Sequence, residues 1–303
     1  MHPRQNKSWS IALVALFAAV GGIVHAEDDA AALPYSRQEN VVYAEVHGTG
    51  LLADIFKPTG TPNGKGIIDV VCGAWYSDRG KMNDHERAQV FNIFTKHGYV
   101  VFGMRPGSVS KYEGTELLAN VQTAIRWVKT HSAEYGVDPH RLGLMGASAG
   151  GHLSLLASLT PLEAVPDAKK ELERVDTRVK AVSVFFPPTD FVDWGGNKPD
   201  YSKSIGQLLF HGGIGSRPQD EIDARAKELS PRYRINGSNL PPYLLFHGDA
   251  DPMVPLQQSQ VFVDAVKAAG GSAELIVKPG GGHPWLTLPN EVEAMASWFD
   301  KQL

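Results

Sequence analysis

The chain carries a single cysteine, Cys72, in 303 residues, so no intramolecular disulfide can staple it. Its stability must come from a packed core, which a chain of this length can bury. No apolar run reaches the ~20 residues needed to span a bilayer. There is no basic tract either: 29 Lys and Arg stand against 33 Asp and Glu, for a formal charge of −4. That balance gives no electrostatic reason to bind nucleic acid, and with 43% hydrophobic residues the chain is not of the disordered class. Internal repeats and low-complexity linkers are also missing, which predicts one large globular domain.

What is present begins with an export pattern. Arg4 and Lys7 precede an apolar run from Ile11 to Val24, Val24-His25-Ala26 offers a small-residue cleavage site, and Glu27-Asp28-Asp29 follows. This order predicts a secretory signal peptide over residues 1–26, a secreted or periplasmic protein, and no membrane anchor after cleavage. Residues 27–303 are then the mature domain, and losing Arg4 and Lys7 makes it more acidic than the full chain.

Within that domain, strand-like runs at Val41 to Val46 and Leu51 to Phe56 flank a hairpin turn at His47-Gly48-Thr49-Gly50. Strands and helices then alternate. Ile67 to Val71 reads as a continuous apolar run buried on both faces of a parallel sheet. A helix around His85 to Lys96 follows, then a strand at Tyr99 to Met104. Glu116 to Tyr135 places Leu117, Leu118, Val121, Ile125 and Val128 at helical spacing. Further strands are expected at Arg141 to Met145, Ala181 to Phe186, Tyr243 to His247 and Glu274 to Val277, with an amphipathic helix from Asn290 to Leu303. This alternation predicts an α/β fold with a doubly wound, mostly parallel sheet. Two insertions stand out: the charged stretch Pro161 to Arg178, and Phe191 to Arg232, which is expected to form a small cap over the site.

The chemistry is carried by three loops. Gly146-Ala147-Ser148-Ala149-Gly150 matches the G-x-S-x-G nucleophile elbow. Its strand-before, helix-after setting separates it from a structural glycine turn. Such a turn lifts the Ser148 hydroxyl above the sheet edge and points the Ala149 amide into the site. A serine hydroxyl needs a base, and the base an orienting group. In this fold they follow in the order serine, acid, histidine. His247-Gly248-Asp249-Ala250-Asp251 and Pro279-Gly280-Gly281-Gly282-His283 each follow a strand and supply them. His283 is the candidate base. Asp249 sits close to the strand end, where aspartates often cap their own loop, whereas Asp251 is further out and better placed to reach the histidine. A metal cluster of His247, Asp249 and Asp251 is disfavoured, because so short a loop offers few ligands. The second oxyanion donor is expected from Cys72-Gly73-Ala74-Trp75, with Gly73 and Ala74 as candidates. Trp75 is expected to pack beside the acyl pocket and Cys72 to be buried packing. Tyr76, Arg105, Ser108 and Trp285 are candidate pocket walls.

Together these residues resemble the esterase/lipase branch of the α/β-hydrolase superfamily, particularly the BD-FAE-like group that includes bifunctional acetylxylan and feruloyl esterases. The resemblance runs from about Val42 to the carboxyl terminus. It is carried most specifically by Tyr135-Gly136-Val137-Asp138-Pro139 leading to Gly146-Ala147-Ser148-Ala149-Gly150-Gly151-His152. Phe186-Pro187-Pro188-Thr189-Asp190, Phe246-His247-Gly248-Asp249-Ala250-Asp251 and Val254-Pro255 also carry it. It implies that Ser148, Asp251 and His283 form a triad. Nothing in the sequence implies a cofactor or a metal. Such esterases usually carry His-Gly-Gly-(Gly/Ala)-Trp at the oxyanion loop, and here Val71-Cys72 replaces the first two residues. The leading expectation is hydrolysis of a short-chain or carbohydrate-linked acyl ester through an acyl-enzyme, with a plant cell-wall acyl group suggested by the resemblance alone. A peptidase resembling prolyl oligopeptidases shares the triad order but usually carries a propeller domain, for which the region before the first strand is expected to be too short. A non-catalytic binding module would be expected to lack a triad member, and none is missing.

Overall fold

The computed structural model describes residues 33–303 apart from Ser238. The predicted signal segment, residues 1–26, lies outside the described residues. The first two strands, β1 (Tyr35–Val46) and β2 (Thr49–Pro58), form an antiparallel hairpin. His47 and Gly48 form its two-residue loop, with φ of 51° and 69°, the sign at both positions that a type I′ turn demands. Both strands are longer than their apolar patterns predict. Irregularities between Gln38 and Val41 and between Val42 and Ala44 interrupt the alternation in β1. Such bulges blunt an edge strand.

Six further strands follow: β3 (Gly66–Val70), β4 (Val100–Arg105), β5 (Leu142–Ala147), β6 (Ala181–Phe185), β7 (Tyr243–Gly248) and β8 (Ala273–Lys278). They complete an eight-stranded sheet in the order β1-β2-β4-β3-β5-β6-β7-β8. β2 meets β4 antiparallel, and every pairing from β4 through β8 is parallel. The fold is therefore the doubly wound α/β-hydrolase arrangement. Alternate residues of the central strands serve two cores, as the pleat requires. Ile68 and Val70 pack with α3 (Gly114–His131), α4 (Ala149–Leu159) and α7 (Gln257–Ala268). Ile67 and Val71 pack with α2 (Val90–Lys96) and α8 (Leu288–Gln302).

Two local readings change. The single helix expected from His85 to Lys96 is two helices, α1 (Arg79–Arg87) and α2, separated by Gln89 at φ 63°. α1 also starts earlier than expected, because the Asp78 side chain caps it by accepting from the Lys81 amide at 2.9 Å. The run Ile67 to Val71 is not wholly apolar: Asp69 lies mid-strand, fully buried, and accepts from Nδ1 of His85 on α1 at 2.6 Å. A carboxylate in a central strand is tolerable only with such a partner.

The insertion after β6 carries α5 (Ser204–Leu209) and α6 (Gln219–Leu229). It is anchored by Leu208, Leu209, Ile222, Ala226 and Leu229, which join the same core cluster as Trp75. Arg225 pairs with Glu113 at the start of α3. No helix among the described residues is long and apolar enough to cross a membrane. Because β3, β5, β7 and β8 are parallel, the loops leaving their carboxyl ends collect on one edge, where open α/β sheets build sites.

Candidate active site

The turn from β5 to α4 fixes Ser148 at φ 53°, ψ −119°, a conformation that costs a non-glycine residue about 1–3 kcal/mol and persists only where surroundings enforce it. One enforcing contact is the Ser148 amide, which donates to the Phe185 carbonyl at 2.9 Å. The flanking glycines permit the approach. A Cβ on Gly150 would stand 2.1 Å from the Val70 carbonyl oxygen, and one on Gly146 would stand 2.5 Å from the Gly150 backbone. The motif's spacing is thus steric: only glycine lets α4 sit this close to β3 and β5.

The loops after β7 and β8 bring Asp251 and His283 to this serine. His283 Nδ1 lies 2.6 Å from Asp251 Oδ2, and Nε2 lies 3.0 Å from Ser148 Oγ. An ionised carboxylate only accepts, so Nδ1 carries the proton and Nε2 presents its lone pair to the serine hydroxyl. Burial opposes ionisation of Asp251, but the bond from His283 and the amides of Val254 and Met253 outweigh it and hold the carboxyl below its usual range. Those amides donate to Oδ1 at 2.9 and 2.8 Å. Asp249, the competing carboxylate, instead accepts from the Gly280 amide at 2.6 Å and so ties the two loops together. His247 is buried and occupied: Nδ1 accepts from the Ser259 hydroxyl at 2.7 Å and Nε2 donates to the Val254 carbonyl at 2.9 Å. Among the described residues no group of three or more His, Cys, Asp or Glu side chains is arranged to hold a metal.

In the loop after β3, the two oxyanion candidates differ. The Gly73 amide donates to the Tyr76 carbonyl at 2.9 Å, closing a tight turn. That correction removes Gly73 as a donor, since its one N–H is spent. The Ala74 amide has no partner among the described residues. Neither has the Ala149 amide, which opens α4 with no carbonyl four residues back in a helix. Ala74 and Trp75 are both left-handed, at φ 48° and 60°. Cys72 is buried, and burial together with Asp69 pushes its thiol pKa up, so it stays protonated.

The expected walls are placed as follows. Trp75 is buried and donates its indole N–H to His152 Nδ1 at 3.0 Å. Tyr76 donates its hydroxyl to Gln207 of α5 at 2.7 Å, tying the insertion to the oxyanion loop. Arg105 is engaged by Asn40 and Asp54, at 2.8 and 3.2 Å, and Ser108 Oγ accepts from the Ser77 amide at 2.9 Å. Both therefore brace loops. Trp285 lies 5.7 Å from Phe186, ring to ring, and donates to Glu291.

Two residues of the site were given no role by the sequence. Phe186 follows β6 at φ 35°, and its ring centroid lies 4.2 Å from that of His283. His152, in the first turn of α4, is fully buried between Trp75 and the Leu229 carbonyl, to which Nε2 donates at 2.7 Å. In the sequence it closes the Gly146 to His152 stretch that carries the family resemblance, with nothing local to give it a role.

The BD-FAE family model matches residues 53–266. Esterase LipQ of Mycobacterium tuberculosis is 29% identical over 209 residues, 68% of this chain and 46% of that protein. An acetylxylan esterase of Xylanibacter ruminicola is 25% identical over 226 residues, 73% of this chain and 41% of that one. The chain thus spans about half the length of the curated relatives it matches. A solved structure, a truncated form of a carbohydrate esterase from gut microbiota, superposes with a TM-score of 0.75 at 27% identity, covering 89% of this chain and 97% of that one.

Proposed function

The chain belongs to the BD-FAE family, and from that premise we propose that it is an exported serine esterase that cleaves short-chain or carbohydrate-linked acyl esters through an acyl-enzyme on Ser148. The observation that carries this reading is the hydrogen-bonded line from Asp251 through His283 to Ser148, at 2.6 and 3.0 Å. In that line His283 Nε2 takes the hydroxyl proton as Ser148 Oγ attacks the ester carbonyl, and Asp251 holds the imidazole and stabilises its charged form. The tetrahedral oxyanion falls to the Ala149 and Ala74 amides, neither of which has a partner among the described residues. Collapse breaks the carbonyl–alkoxy bond, and the alcohol leaves with the proton from Nε2. Water then attacks the acyl group, giving its proton to Nε2. The second collapse releases the acid and returns the proton to Ser148. No step calls for a cofactor.

The carbohydrate-linked class is supported by the acetylxylan esterase relative and the carbohydrate esterase structure. Export is supported by the order of basic, apolar and small residues over 1–26. The segment 191–232 is read as a partial cap, supported by the Tyr76–Gln207 bond that joins it to the oxyanion loop.

The test is turnover of p-nitrophenyl acetate, butyrate and octanoate, with acetylated xylan and a feruloyl ester in parallel. Purified protein from Glu27 onward is compared with Ser148→Ala. Turnover lost in the variant and falling with acyl length supports the reading. Folded wild-type protein inert on every ester sinks it.

A further inference from the structure

Two consecutive non-glycine residues, Ala74 and Trp75, sit in the left-handed region, a backbone conformation that L side chains disfavour. The loop must therefore be held by its surroundings. The paired bonds between Gly73 and Tyr76 close its turn from within. From outside, the Val109 amide donates to the Trp75 carbonyl at 3.0 Å and Ser108 Oγ accepts from the Ser77 amide at 2.9 Å. The Trp75 side chain has one polar tie, the bond from its indole N–H to His152.

That bond has a fixed direction. An indole nitrogen only donates and a carbonyl only accepts. His152 therefore carries its proton on Nε2, for Leu229, and turns the bare Nδ1 to Trp75. A protonated imidazole would face the indole N–H with a second N–H and break the line. Burial guards against this by pushing the His152 pKa down to about 4, against the opposing pull of the Leu229 carbonyl. The rings of Trp75 and Phe191 both meet the imidazole edge-on, at 5.6 and 5.0 Å, and lie 5.7 Å from each other, so the three rings pack as one triangle. His152 stands three residues beyond Ala149 on α4, so one rigid helix presents one candidate oxyanion amide and braces the loop that presents the other.

We propose that His152 is a positioning residue for the oxyanion loop: as a neutral imidazole it accepts the Trp75 indole N–H and so aims the Ala74 amide at the developing oxyanion. The Leu229 bond links this brace to the end of α6, so the insertion after β6 sets the oxyanion loop as well as adjoining it. The inference rests on the serine-esterase reading, and its test separates the two.

Steady-state hydrolysis of p-nitrophenyl acetate is measured for the wild type, Ser148→Ala, Trp75→Phe, His152→Leu and His152→Asn, together with melting temperatures. Trp75→Phe keeps an aromatic ring and removes the N–H donor with part of the indole's bulk, a smaller change than His152→Leu makes inside α4, so it serves even if His152→Leu fails to fold; its melting temperature reports the lost packing. Trp75→Phe is expected to lower kcat about 10- to 100-fold with KM within about twofold, short of the 10²–10³ lost with a whole oxyanion donor. His152→Asn, whose amide oxygen falls near the Nδ1 position, is expected to recover most of the rate lost in His152→Leu. A Trp75→Phe enzyme with wild-type kcat, whatever its melting temperature, overturns the positioning role and leaves the esterase reading standing. Wild-type turnover that survives in Ser148→Ala, or is absent altogether, overturns the reading and this inference with it.

Discussion

Asp69 and His85 form a buried hydrogen-bonded pair, 2.6 Å apart, on the face of β3 that packs against α1. Burial disfavours the charged imidazole, but Asp69 beside it wins and raises the His85 pKa. Removing one partner of a buried pair leaves an uncompensated charge and costs about 3–5 kcal/mol, whereas replacing both with apolar groups is often near neutral. His85→Leu is therefore expected to destabilise by about that amount in urea unfolding. Asp69→Leu/His85→Leu is expected to recover most of it. Equal losses in the single and double variants would show that the pair contributes nothing beyond packing.

The histidines give opposite pH signs. His152 is depressed to about 4 in the fold from an ordinary value near 6.5. Between those values the unfolded chain binds the extra proton, so this contribution is full above about pH 6.5 and is lost as pH falls toward 4. His85 is raised, so its contribution is full below about pH 6.5 and is lost as pH climbs through its folded value. Melting temperatures of the wild type and His152→Asn, compared from pH 4 to 7, should converge toward the acid end. A constant gap across that range would contradict the assignment.

The two carboxylates after β7 should separate cleanly. Asp251→Asn removes the acceptor that fixes the His283 tautomer, and a drop in kcat of about 10³–10⁴ is expected. Asp249→Asn keeps an oxygen for the Gly280 amide and should cost less than about tenfold. Comparable losses in both would move the orienting role off Asp251.

Phe186 holds a strained φ of 35° with its ring against His283. Phe186→Ala should lower kcat by about 10-fold or more by freeing the imidazole, because a general base must keep its hydrogen-bond reach to the nucleophile. Unchanged kcat with lowered stability would reduce Phe186 to packing.

Glycine substitutions grade the elbow. Gly150→Ala would force a Cβ to within 2.1 Å of a backbone oxygen and should abolish activity or folding. Gly270→Ala has open space but φ 79°, and should cost only about 1 kcal/mol. Activity and urea midpoints of the two variants, side by side, check the contrast.

The sheet and the three loops bearing Ser148, Asp251 and His283 were legible in the chain because their signals are local. A strand buried on both faces reads as an apolar run, a helix as a stripe, and the elbow as two glycines set by steric approach. Strand ends shifted by a residue or a few at most places. The reading slipped more where polarity was paired off at a distance: Asp69 inside β3, matched by His85 on the next helix, and the polar start of β1, matched by β2 across a bulged hairpin. Splitting α1 from α2 needed the backbone of Gln89, whose left-handed turn no side-chain pattern announces.

By itself, then, the sequence determined a parallel α/β sheet, a serine at a strained turn, and an acid and a histidine on the loops that follow later strands. Tertiary structure decided which carboxylate faces His283, that the Gly73 amide is spent within its own turn while the Ala74 amide has no partner among the described residues, and that Trp75 and His152, 77 positions apart, are hydrogen-bonded. These are questions of which single donor meets which single acceptor. Residue type fixes only what a group can donate or accept, and the answer follows from distances that packing sets once the chain has folded.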